Sequence, residues 1–150
     1  MGLRVGEVAI LEVENFDLQA GEFVELRFYR PKVGKVQTHR LSRDASKAAR
    51  LYLAQDAPAS GPVWRRSLKS GELAEVGMSD RAITKRVCEL GADVGAAGLS
   101  AHDCRHYWAT LASKKTDAFS LRDAGGWNSL AMPARYIEAA KIANSGVILE

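Results

Sequence analysis

Apolar residues recur at helical spacing through Leu3, Val5, Val8, Ala9 and Leu11, which predicts a helix over 3–13. The pattern then changes. Glu22–Tyr29 carries Phe23, Leu26 and Phe28 and reads as a strand. Pro31-Lys32-Val33-Gly34-Lys35 marks a turn, and Val36–Leu41 returns as a second strand, so the pair predicts a β-hairpin. Ser42 is placed to cap a helix over 43–54 rich in Ala, Lys and Arg. Segment 56–78, with Pro58, Pro62, glycines and serines, reads as a surface loop. From Ser79 the periodicity is helical, over 80–92, 101–115, 118–124 and 132–142. Ser100 suits the N-cap of the second of these helices, with Asp103 in its first turn. Pro133 suits the first turn of the last. The sum is a mainly α domain with a small antiparallel β-sheet.

Composition narrows this modestly. A chain of 150 residues, 47% hydrophobic, can bury one real core. Its net charge of +3 and pI near 9.0 tilt toward an anionic partner without compelling one. No apolar run approaches the roughly 18 residues of a membrane span, and no signal-peptide pattern opens the chain. Cys88 and Cys104 have neither metal-ligand nor redox spacing, as expected of reduced thiols in a cytoplasmic protein. The first residues already lie inside an amphipathic pattern with no capping residue, which suggests an N-terminally truncated piece.

The last third holds the chemistry. His102-Asp103-Cys104-Arg105 sets an imidazole and a guanidinium on one helix, and Tyr136 follows a Gly125-Gly126-Trp127 turn. Metal-free cleavage of a DNA phosphodiester needs a nucleophile, cations on the non-bridging oxygens and an acid for the leaving oxygen. A tyrosine, with a reference pKa of about 10, must lose its proton to serve. Arginine's planar fork suits a phosphate clamp. Taken singly, each residue is an ordinary surface or packing residue.

Their order is not ordinary. The segment Ser100–Thr110 resembles the second signature box of the tyrosine recombinases, the phage integrase family. Gly126–Tyr136 resembles that family's nucleophile box, with Trp127 nine positions (136 − 127) before the tyrosine. Gly2-Leu3-Arg4-Val5-Gly6-Glu7 resembles its first-arginine motif. The resemblance runs from Gly2 to about Ile142. Trp127 departs from the commoner histidine, and Cys104 replaces an aliphatic residue, where it is expected to fill core.

The resemblance implies the recombinase catalytic fold, without the first helices of the catalytic domain or the upstream DNA-clamping domain. It implies that Tyr136 attacks a phosphate, forming a 3′-phosphotyrosine and freeing a 5′-hydroxyl. Arg4 and Arg105 would clamp the phosphate, and Glu7 would help hold the site together. Lys32, favoured over Lys35, would protonate the leaving oxygen. His102 would handle the nucleophile's proton, because imidazole titrates near neutral pH. Trp127 would position the tyrosine, and His106 would pack or cap its helix. Lys35, Arg65, Arg66, Arg81, Lys85 and Arg86 are candidate contacts to the DNA backbone, each more ordinary as a solvated cation. No metal or cofactor is implied. The implied partners are double-stranded DNA and sister protomers in a tetrameric synapse, with the tail 137–150 packing into a neighbour. The setting would be the cytoplasm of a prokaryote or its virus. Two rivals remain: a type IB topoisomerase-like enzyme, and a remnant that only binds DNA.

Overall fold

The computed structural model describes residues 1–140. Helix α1 (Val5–Ala9) is shorter than the periodicity predicts. It stops because Leu11 and Val13 pair their backbones elsewhere: Val63 N–H donates to the Leu11 carbonyl at 3.0 Å, and Val13 N–H to that of Gly61 at 2.9 Å. Leu11 itself is buried, at the centre of a cluster with Leu26, Phe28 and Val63.

The predicted hairpin forms. Strands β1 (Phe16–Asp17), β2 (Glu25–Arg30) and β3 (Lys35–Arg40) make an antiparallel sheet in that order, with Glu25 opposite Arg40 and Arg30 opposite Lys35. Alternation along β2 sends Leu26, Phe28 and Arg30 inward, so a cation takes the third core position. Helix α2 (Arg43–Gln55) begins at Ser42, whose hydroxyl accepts from Ala45 N–H at 3.4 Å. Buried Ser46 ties α2 to the sheet by accepting from Val24 N–H at 3.0 Å.

Segment 56–78 is not a plain loop. Strands β4 (Arg65–Ser67) and β5 (Leu73–Gly77) form a second, irregular hairpin. Trp64 leads into it, its ring stacked 5.6 Å from that of Tyr52. Strands this short, joined through Ser70 and Gly71, carry too few apolar positions to show alternation.

Four helices follow: α3 (Asp80–Asp93), α4 (Ala101–Ser113), α5 (Ala118–Gly125) and α6 (Ala131–Ala140). Ser100 and Asp103 form a reciprocal capping box at the start of α4. Helix α4 packs on α5 and α6, while α3 lies against α1 and α4. The extension of the last helix to 142 and the role expected of the tail fall on residues 141–150, outside those described. Cys104 does not fill core. It is exposed, like Cys88, and borders an apolar groove of about 600 Å³ between α1, α2, α3 and α4. No helix among the described residues is long and apolar enough to cross a membrane.

Candidate active site

The site is assembled beneath the turn joining α5 to α6. Asp117 caps α5 by accepting from Phe119 and Ser120 N–H, and Gly126 ends the helix in the left-handed conformation (φ 65°, ψ 44°). A side chain at Gly126 would run into the Arg30 guanidinium, and one at Gly125 into the Trp127 ring. Only glycine fits at either place.

Arg30 fills the space those glycines leave. With 0% of its surface exposed, it donates to both carboxylate oxygens of Glu7, at 2.9 and 2.8 Å. It also donates to the carbonyls of Ala124 (2.9 Å) and Gly125 (3.0 Å) and to Gln37 Oε1 (2.9 Å). These carbonyls are the unpaired acceptors of α5's last turn, where the helix dipole also favours a cation. Burial alone would push the Glu7 carboxyl up, but the bonds and charges of Arg30 and Arg4 outweigh it and hold its pKa below the ordinary value.

Arg4 and Arg105 flank this pair. Arg4 donates to Glu7 Oε1 at 3.0 Å and to the Gly126 carbonyl at 2.7 Å, with 23% of its side chain exposed. Arg105, buried, donates to the carbonyls of Gly2 and, at 2.8 Å, Gly125. Burial, with repulsion from Arg4, brings its pKa down to about 10, so it stays charged at neutral pH. Its guanidinium lies 4.4 Å from the centre of the Trp127 ring. Three guanidiniums thus surround one carboxylate, and the cluster remains cationic.

The phenol stands beside that cluster. Trp127 and Tyr136 rings are 6.0 Å apart, and Tyr136 Oη is hydrogen-bonded to His106 Nδ1. His106 is therefore no helix cap or simple packing residue: it is the imidazole that reaches the tyrosine. His102, one turn earlier and exposed, meets the His106 ring edge-on at 4.2 Å. Burial raises the Tyr136 pKa, and the charge of Arg105 opposes the rise.

The remaining candidates divide. Lys35 lines a cleft of about 340 Å³ with Gln37, Gly126, Trp127 and Asn128, whereas Lys32 sits exposed in the hairpin turn outside that lining. Arg65 is folded back on its own loop, donating to the Pro62 and Ser60 carbonyls at 2.9 and 2.8 Å. Arg66 and Arg81 are exposed, and Lys85 and Arg86 both pair with Glu89, at 3.8 and 3.3 Å. No group of three or more metal-ligating side chains occurs among the described residues.

Two residues of the cluster escape a sequence reading of roles. Arg30 falls between the strand read over 22–29 and the turn that starts at Pro31, yet it continues the inward set Leu26, Phe28 at period two. His106 shares a helix face with His102 at i, i+4, and that spacing was the available signal.

A cationic cluster beside a half-buried phenol thus sits on a mainly helical frame with a small antiparallel sheet, and that frame is shared with solved structures. XerH site-specific recombinase bound to palindromic difH substrate, in a post-cleavage complex, matches with a TM-score of 0.66 at 20% identity over 93% of this chain. XerH bound to difH in a pre-cleavage complex matches with a TM-score of 0.65 at 22% identity over 94%. The chain spans only 39% and 42% of those two chains. No curated protein matches it. The profile of the phage integrase family matches residues 1–142, and the chain belongs to that family.

Proposed function

We propose that this chain is the catalytic portion of a tyrosine-type site-specific recombinase, acting on double-stranded DNA through a covalent bond to Tyr136. One observation carries the reading: segments more than a hundred residues apart in sequence converge so that Arg4 and Arg105 meet at the Gly125–Gly126 carbonyls, and Trp127, under Arg105, stands beside the Tyr136 ring. A scissile phosphate set there would be held by the N–H donors of Arg4 and Arg105 that are not already given to Glu7 or to carbonyls. Trp127 would fix the α6 start and can offer its indole N–H to a phosphate oxygen. Tyr136 attacks phosphorus as its proton passes to an imidazole of α4. The 5′ oxygen leaves, taking a proton from Lys32 at the hairpin tip; Lys35, in the cleft, is the competing donor. The 3′-phosphotyrosine keeps the ester energy, and a 5′-hydroxyl of a partner strand later reverses the step. Partner exchange would take place in a synapse of four protomers, with Arg66, Arg81, Lys85 and Arg86 giving salt-dependent contacts to the DNA backbone. Arg65, already committed to its own loop, is the weakest candidate for that role.

Nicked duplexes cut from the DNA flanking the gene provide the test. The intact protein is expected to form a denaturation-resistant protein–DNA adduct that disappears in Tyr136→Phe. Salt-sensitive binding without any adduct would replace this reading with that of a DNA-binding remnant.

A further inference from the structure

We propose that His106, rather than His102, takes the phenolic proton of Tyr136 in cleavage and returns it in rejoining; this rests on Tyr136 being the nucleophile. Among the described residues, His106 Nδ1 is the side-chain atom bonded to the reacting oxygen. With the ring proton on Nε2, Nδ1 accepts from the phenol, and in that tautomer the contact places a base on the reacting oxygen. Tyr136 needs such a base. It is half-buried, burial disfavours its phenolate, and the nearby Arg105 only opposes that penalty. The lysines of the hairpin are protonated donors in the proposed chemistry and cannot also accept.

The groups around His106 are few. From its own helix come His102, edge-on at 4.2 Å, and the charge of the Asp103 carboxylate; from α6 comes Tyr136. Asp103 is tied to the Ser100 hydroxyl at 2.6 Å and its backbone N–H at 2.9 Å, so it is not oriented toward the His106 ring by a hydrogen bond. His102 has the exposed position, where it can face the phosphate or solvent.

In the forward step the Oη–H bond breaks and the proton moves to Nδ1. The Oη–P bond forms, P–O5′ breaks, and the leaving oxygen takes the lysine proton. In rejoining, the incoming 5′-hydroxyl gives its proton to that lysine, O5′–P forms as P–Oη breaks, and the imidazolium returns a proton to Tyr136. Every proton is accounted for, and no other reactant is needed.

Single-turnover adduct formation by the intact protein on nicked duplexes would test this, with Tyr136 either ordinary or replaced by a difluorinated, more acidic tyrosine. His106→Ala and His106→Asn should each slow cleavage by about 10²–10⁴-fold, the usual reach of a positioned base. The acidic tyrosine should restore most of that loss, and should restore little of any loss in His102→Ala. Asparagine keeps a hydrogen bond without basicity, so cleavage by His106→Asn at the parent rate would overturn the proposal. An undiminished defect with the acidic tyrosine would overturn it as well. If the parent protein forms no adduct, or one that survives Tyr136→Phe, the underlying nucleophile assignment fails and takes this proposal with it.

Discussion

Replacing Arg30 with methionine removes the cation on which the site is built. Methionine keeps much of the aliphatic stem, so the loss is of charge and hydrogen bonds more than of volume. Glu7, with 4% of its side chain exposed, would be left with Arg4 as its remaining partner. The Ala124 and Gly125 carbonyls would lose the donor that now meets them at 2.9 and 3.0 Å. Breaking one side of a buried ion pair costs about 3–5 kcal/mol. A domain of this size has on the order of 5–15 kcal/mol in all. Urea unfolding followed by tryptophan fluorescence should therefore show a midpoint lower by about 1.5–2.5 M, at a typical slope of about 2 kcal/mol per molar. Glu7→Gln with Arg30→Met removes the stranded charge as well, so the double variant should be less damaged than the sum of the singles, by about 1–3 kcal/mol. Acid sensitivity gives a second check. The folded pKa of Glu7 is depressed, so its contribution is complete above the ordinary carboxylate range and is lost as pH falls through the lower folded value. Glu7→Gln should show a shallower acid decline than the parent. A loss under about 1 kcal/mol for Arg30→Met, or strict additivity in the double variant, would refute the view of Arg30 as the site's internal support.

Two further expectations follow from the same neighbourhood. Gly126→Ala should destabilise by roughly 1–3 kcal/mol in thermal or urea melts, since its φ of 65° is strained for alanine and the new methyl would displace the Arg30 guanidinium. Lys32→Ala and Lys35→Ala can be separated on duplexes whose leaving 5′ oxygen is replaced by sulfur, which departs without an acid. Lys32→Ala should cleave the ordinary substrate about 10²–10⁴-fold more slowly and recover on the sulfur substrate, and recovery confined to Lys35→Ala would move the role to that residue.

Local signals carried much of the fold. Ser42 and Ser100 marked helix starts because a short hydroxyl competes well for the first free N–H groups, and the hairpin showed through its turn and flanking bulk. The β4–β5 hairpin did not, because its strands are held by pairing that runs across Ser70 and Gly71 and leave almost no alternating apolar positions. Leu3 to Leu11 looked like one long helix because periodicity reports which residues are apolar, not where their backbone groups are bonded. Within the site, Arg4, Glu7, Arg105, Trp127 and Tyr136 could be listed by family resemblance and do converge. Arg30 and His106 were harder. Their parts depend on partners 93 to 95 and 30 residues away along the chain, which no local window contains.

Those separations have a consequence for the order of events during folding. The Gly125 carbonyl receives Arg30 and Arg105, and the next carbonyl receives Arg4 from 122 residues upstream. Contacts that close such wide loops form late, because the chain must give up the most freedom before they contribute anything. The pocket is thus among the last things the chain completes, and an incompletely folded molecule holds Tyr136 without the cationic cluster beside it.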